Sequence, residues 1–204
     1  DLYRADPRRA SSYALMDPPV GNFRRTIGIV GASHIGRRVI ELLGALDVSV
    51  LLYDPHVQPA DAIGRQAALV TLDELIRRSD VVSLHAPSLP STRHMIGRHE
   101  LALMRDGSTL INTARGALVD EDALIAELET GRISAILDVT DPEIPPPGSP
   151  LFRLPNVFLT PHIAGAVGSE RTRLGDLVAD EVERFVSGRP LQHQVQPSLL
   201  RQLA

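Results

Sequence analysis

Cysteine and tryptophan are absent from this 204-residue chain, and aromatic residues make up only 3% of it. Without cysteine there is no disulfide scaffold, no thiolate zinc site and no thiol nucleophile, and the chain fits a reducing compartment, the cytoplasm. An excess of basic charge is missing too. Lys and Arg number 21 against 25 Asp and Glu, a formal net charge of -4, and the arginines are scattered along the chain. Nucleic acid therefore finds no electrostatic footprint here. No apolar run reaches the ~18 residues that a membrane-spanning helix needs, and the charged, proline-bearing start is unlike a signal peptide. No membrane contact is expected. An initiator Met is also lacking, and a start at Asp1 suggests that a piece was removed from the front. What is present is 43% hydrophobic and 23% charged residues, the balance of a globular protein able to bury a core.

Residues 1–25, rich in Arg, Asp and Pro, read as a connecting segment. The pattern changes at Thr26. Ile27 to Val30 is a continuous apolar run that suits a strand buried on both faces, and Ile35, Val39, Ile40 and Leu43 then fall on one face of a helix that stops at Gly44. Between them, Gly31 and Gly36 frame a turn whose free N–H groups at the helix start favour an anion such as pyrophosphate. The usual fingerprint G-x-G-x-x-G has a glycine where this chain has Ser33, so a plain βα packing turn is an equal reading of these residues alone. Asp54 ends the next strand candidate, Val48 to Tyr53, eighteen residues after Gly36. An acid at that distance accepts hydrogen bonds from the adenosine ribose and repels a 2′-phosphate, which favours NAD over NADP. A turn aspartate before Pro55 is the bland alternative; the joint spacing favours the cofactor.

Strand and helix patterns alternate from there to about Ser187. Strands are expected at 67–70, 80–85, 108–113, 133–139 and 157–160, and helices open at the Thr71 and Asp120 caps and near His99 and Glu170. This is the pattern of an α/β fold, a doubly wound, mostly parallel sheet of Rossmann type with helices on both faces. Residues 26–188 form the dinucleotide-binding domain, and 189–204 a C-terminal tail. In such sheets ligands bind outside the carboxyl ends of the strands. Three successive strand ends deliver Arg115, Glu143 and His162. Arginine offers a planar fork to a substrate carboxylate, histidine exchanges a proton near neutral pH, and a carboxylate on one ring nitrogen leaves the other free for a substrate oxygen. With a nicotinamide this is alcohol-to-ketone chemistry. Each residue also has a structural reading: Arg115 as a helix cap or a partner of Asp120, His162 as a satisfied strand-end histidine, Glu143 as a solvated turn residue. His56, His94, His99 and His193 lack any metal-ligand spacing, so no metal is expected, and His85 takes a backbone role in the cofactor pocket.

The stretches Asn112 to Asp120, Leu137-Asp138-Val139 with Glu143, and Leu159 to Gly165 resemble the D-isomer-specific 2-hydroxyacid dehydrogenase family, and the likeness runs from Thr26 to about Gly188. The resemblance implies an NAD-dependent oxidoreductase acting on a 2-hydroxy or 2-oxo acid. Arg115 would orient the substrate, His162 act as general acid/base, and Glu143 be its partner. It also implies cofactor contacts: Gly31, Ser33, His34, Ile35 and Gly36 at the pyrophosphate, Asp54 on the ribose, and Ala86, Pro87, Thr113 and Asp138 around the nicotinamide end. Family members carry a separate substrate domain ahead of the glycine turn, and only 25 residues precede Thr26 here. The resemblance therefore implies a cofactor half that is inactive alone, with a tail that is mobile or docked on a neighbour, and a homodimer through the cofactor domain. Ser33 and a histidine at 34, where relatives often have arginine, are expected to weaken pyrophosphate binding unless the turn opens. The same fold also serves NADH-binding regulators of the C-terminal-binding-protein corepressor type, which is the alternative function, and a structural dimerisation module is a third.

Overall fold

The structure, a computed structural model, describes residues 21–58 and 66–197. The expected connecting segment up to residue 20 and the end of the tail from 198 lie outside the described residues. Seven strands make one sheet: β1 (Thr26–Val30), β2 (Ser49–Tyr53), β3 (Ala68–Leu69), β4 (Val81–Leu84), β5 (Thr109–Asn112), β6 (Ser134–Leu137) and β7 (Val157–Leu159). Their order is β3-β2-β1-β4-β5-β6-β7, and every pair is parallel. The helices are α1 (His34–Leu43), α2 (Leu72–Arg78), α3 (Arg98–Leu103), α4 (Glu121–Glu129) and α5 (Glu170–Val186). Chain order reverses between β1 and β4, and a crevice opens at such a switch point.

Local chemistry places the helix starts where the sequence puts them. Thr71 accepts from the Glu74 amide at 3.2 Å and Asp120 from the Ala123 amide at 3.1 Å, each satisfying an amide that its helix leaves open. Alternation along the strands divides the core in two. Val30, Leu51, Leu84, Leu110 and Leu137 pack with α2, α3 and α4 on one face, while Ile29 and Leu52 meet Ile40 of α1 on the other. Ile35 departs from the expected apolar face of α1. It stands 64% exposed in the first turn, beside the strand ends instead of over the sheet.

The cover on the α1 side is incomplete. Ile29, Ser83, Ile111, Ile136 and Phe158 are register neighbours across five strands. Exposure along that row climbs from 0% at Ile29 to 36% at Ile136 and 63% at Phe158. α5 has the expected apolar stripe, but none of its residues is buried. Leu174, Val178, Val182 and Phe185 all face solvent. The tail, expected to be mobile or docked on a neighbour, folds back on α5 as far as it is described. Glu181 accepts from the Gln192 and His193 amides, and Arg189 pairs with Glu183 at 2.7 Å.

Two glycines set the spacing at the β1–α1 turn. Gly31 has φ +98°, and a Cβ there would lie 2.6 Å from the Ala86 nitrogen; a Cβ on Gly36 would lie 2.0 Å from the Gly31 oxygen. Gly36→Ala is expected to destabilise the domain by about 1–3 kcal/mol, the usual cost of overpacking. Urea unfolding measures this, and an unchanged midpoint would contradict the close approach.

Candidate active site

The turn after β1 presents unused donors. Ser33 caps α1 from an ordinary extended backbone, φ -60° and ψ 179°. Its hydroxyl donates to the His85 carbonyl at 2.9 Å and lies 3.4 Å from the Gly36 amide. The turn therefore needs no glycine at 33 for its own conformation, and Ser33 ties it to the end of β4. The Ala32 amide donates to Asp54 at 2.7 Å, whereas the amides of Ser33, His34 and Ile35 make no hydrogen bond among the described residues. Three free amides at a helix start form an anion site. They border a cleft of about 280 Å³ whose other walls are His85, Ala86, Pro87, Thr113 and Arg115. Of the residues expected around a dinucleotide, Ser33, His34, Ile35, Ala86, Pro87 and Thr113 meet in this one crevice at the switch point.

Asp54 follows β2. Its two oxygens take the Ala32 amide at 2.7 Å and the His56 amide at 2.8 Å. A carboxylate accepts about four hydrogen bonds, so capacity remains for ribose hydroxyls.

The second concavity, about 790 Å³, lies along β6 and β7 and holds Glu143, His162 and Asp138 among apolar walls that include Ile144, Phe152 and Phe158. His162 Nδ1 meets Glu143 Oε1 directly. That contact leaves Nε2 without a hydrogen-bond partner among the described residues. His162 adopts φ +53°, a left-handed backbone uncommon outside glycine. Asp138, 3% exposed, accepts from the Thr160 hydroxyl at 2.6 Å and from the Ile163 and Ala164 amides at 2.8 Å. Burial pushes its carboxyl up, but the bonds from Thr160, Ala164 and Ile163, with the nearby His162 charge, outweigh burial and hold it below the usual carboxylate range.

The structure brings His162 and Glu143 together; Arg115 lines the other cleft. Arg115 donates to the Ala114 carbonyl and not to Asp120, which caps α4. Its turn is fixed by Asn112, 1% exposed, which donates to the Arg115 carbonyl at 2.9 Å and accepts from the Ala114 amide at 3.1 Å. Asn112, Thr160 and Ser83 are the polar residues that sequence reasoning left without a role. A polar side chain closing an apolar strand was the available signal. Ser83 and His85, both buried, share a bond of 2.9 Å between hydroxyl and Nε2, behind the cleft wall that His85 forms. Away from both concavities, Asp73, His99 and Glu100 have donor atoms within 4.8 Å of one another, a grouping hidden from the sequence because α2 and α3 bring it together. Arg77 already pairs with Asp73, and Glu100 accepts from the Gly97 amide.

Comparisons with known proteins identify the family and the fold. The family model described as D-isomer specific 2-hydroxyacid dehydrogenase, NAD binding domain, matches residues 14–164. The D-3-phosphoglycerate dehydrogenase of Methanocaldococcus jannaschii is 35% identical over 175 residues, 85% of this chain and 33% of that protein. The glycerate dehydrogenase of Methylorubrum extorquens is 38% identical over 191 residues, 92% of this chain and 58% of that protein. Among solved structures, D-mandelate dehydrogenase of Rhodotorula graminis superposes with TM-score 0.79 at 33% identity, covering 96% of this chain and 58% of that one. The NAD-complexed D-isomer specific 2-hydroxyacid dehydrogenase of Lactobacillus delbrueckii ssp. bulgaricus gives 0.77 at 31%, covering 96% and 62%. The chain thus spans about a third of the length of the phosphoglycerate dehydrogenase and under two thirds of the others.

Burial lowers the pKa of His85 below the ordinary histidine value. The unfolded chain therefore binds the proton first as pH falls, and stability contributed by the neutral ring is complete above about pH 6.5 and declines below it. Unfolding free energies measured across that range are expected to fall with pH in the native chain and to fall less steeply in His85→Gln. Equal slopes would contradict a buried neutral imidazole.

Proposed function

Because the chain belongs to the D-isomer specific 2-hydroxyacid dehydrogenase family through its NAD-binding domain, we propose that it is the cofactor-binding part of an oxidoreductase that interconverts a 2-hydroxy acid and its 2-oxo acid. The observation that carries the proposal is the His162–Glu143 contact, set at the sheet edge that also bears the amide-lined cleft. The cleft suits the dinucleotide, since its free amides offer donors to a pyrophosphate and the close packing at Gly31 and Gly36 shapes the turn that presents them. Ser33, His34 and Ile35 would hold that group, Asp54 the ribose, and Ala86, Pro87, Thr113 and Asp138 the nicotinamide end. NAD supplies the hydride acceptor or donor for the carbon bearing the hydroxyl.

The chain's own residues handle the proton and the acid group. Glu143 on Nδ1 fixes the imidazole tautomer and leaves Nε2 of His162 to take the hydroxyl proton, or to return it to a carbonyl oxygen in the reverse direction. Arg115 holds the substrate carboxylate through its guanidinium fork. Residues 26–188 form the dinucleotide-binding domain in this reading, and 189–204 its tail. Pairing as a homodimer through the domain is supported by the apolar surface left open on α5 and at Phe158. The absence of cysteine supports a cytoplasmic setting.

The test is NADH oxidation against a panel of 2-oxo acids by the polypeptide that carries this domain. His162→Ala is expected to lower turnover by roughly 10²–10⁴, the weight of general acid/base catalysis, with NADH affinity retained. Arg115→Gln is expected to act chiefly on KM. Turnover unchanged in His162→Ala would remove the histidine from the mechanism.

A further inference from the structure

Asp138 receives an unusual set of donors. The amides of three consecutive residues, His162, Ile163 and Ala164, all end on it: the first on its carbonyl at 3.0 Å, the second on Oδ1 and the third on Oδ2, each at 2.8 Å. The Thr160 hydroxyl adds a fourth bond, to Oδ1, at 2.6 Å. His162 lies inside this loop with its left-handed backbone. Successive amides that follow a left-handed residue form a concavity that takes an anion. Here the anion is a buried side chain of the same fold, delivered by the end of β6.

We propose that Asp138 is a positioning residue for His162: by binding the loop 160–164 it holds the histidine backbone in the left-handed region and sets the imidazole against Glu143. This rests on the reading of His162 as the acid/base. It goes beyond that reading by giving Asp138 work that is independent of any cofactor contact. The Asp138 amide in turn donates to the Asn112 carbonyl at 2.9 Å, so the loop bearing His162 is referenced to the same strand end that fixes the Arg115 turn. Thr160 is the second member of the device. The depressed carboxyl of Asp138 is the electrostatic signature of the same bonds. Oδ2 takes a single protein donor, which leaves it an acceptor site for another group without releasing the loop.

Asp138→Asn keeps the shape, removes the charge and places an NH₂ group where one of the loop amides needs an acceptor. Hydrogen exchange followed by NMR on the cofactor-free chain reads the loop directly. The Ile163 and Ala164 amides are expected to exchange roughly 10-fold faster or more in Asp138→Asn, the weight of a hydrogen bond to a charged group, while the amides of β1 and β4 keep their protection. In the polypeptide that carries this domain the same variant lowers turnover, and Thr160→Val, which keeps the Asp138 carboxylate, does so with KM and NADH affinity changing far less. If the whole sheet loses protection in Asp138→Asn, Thr160→Val decides. It is expected to speed exchange of the Ile163 and Ala164 amides alone, and Thr160→Ser to restore them. Native protection of the Ile163 and Ala164 amides in Asp138→Asn, or in Thr160→Val, would overturn the proposal. Because exchange is read without substrate, a released loop in the variant, with no 2-oxo acid reduced by the native polypeptide that carries this domain, would support the positioning role while removing the dehydrogenase reading.

Discussion

A parallel sheet makes every strand leave by the same edge. Each return to the opposite edge then needs a crossover, and in this chain the carboxyl ends of β1, β2, β4, β5, β6 and β7 open into turns along one edge. The amide-lined cleft, the His162 groove and the residues that shape both are consequences of that constraint. The reversal of order between β1 and β4 adds a crevice, and the glycine turn enters it with three amides unused.

The strand ends are not left to find their own geometry. Ser33 ties the β1 turn to the His85 carbonyl, Asp54 takes the Ala32 amide, Asn112 pins the Arg115 turn, and Asp138 gathers the His162 loop. Each tie uses a short polar side chain against a backbone group, and Asn112 and Asp138 are almost wholly buried. Buried polar groups that are fully bonded rigidify their surroundings, whereas an unmet partner there is costly. Placement of the reactive groups therefore follows from backbone anchoring and does not depend on Arg115 or His162 holding themselves. Glu143 and His162 are about half exposed, which suits the proton transfer proposed for the pair.

Much of this was legible in the sequence. Apolar runs such as Ile27 to Val30 marked the strands, Thr71 and Asp120 announced helix starts, and Arg115, Glu143 and His162 were expected just past strand ends, where they stand. The rest depended on pairing across strands, which linear spacing does not carry. Ser33 reads as a missing glycine in a motif but acts as a cap bonded to His85. Asp138 reads as one more cofactor-side residue, because its loop partners lie more than twenty positions away. The periodicity of Leu174, Val178 and Val182 correctly foretold a helix, yet an apolar stripe records only that a surface needs covering and α5 stays exposed. Arg115 and His162 share a sheet edge without sharing a cavity, a separation that residue types could not convey.

The open amides at the head of α1 are the groups proposed to receive the pyrophosphate of NAD. Titrating isotope-labelled protein with NADH and following the Ser33, His34 and Ile35 amide resonances tests that role most directly. The account predicts that these three signals shift together and saturate, while amides in α4, remote from the cleft, stay in place. Saturating NADH that leaves all three unmoved would contradict it.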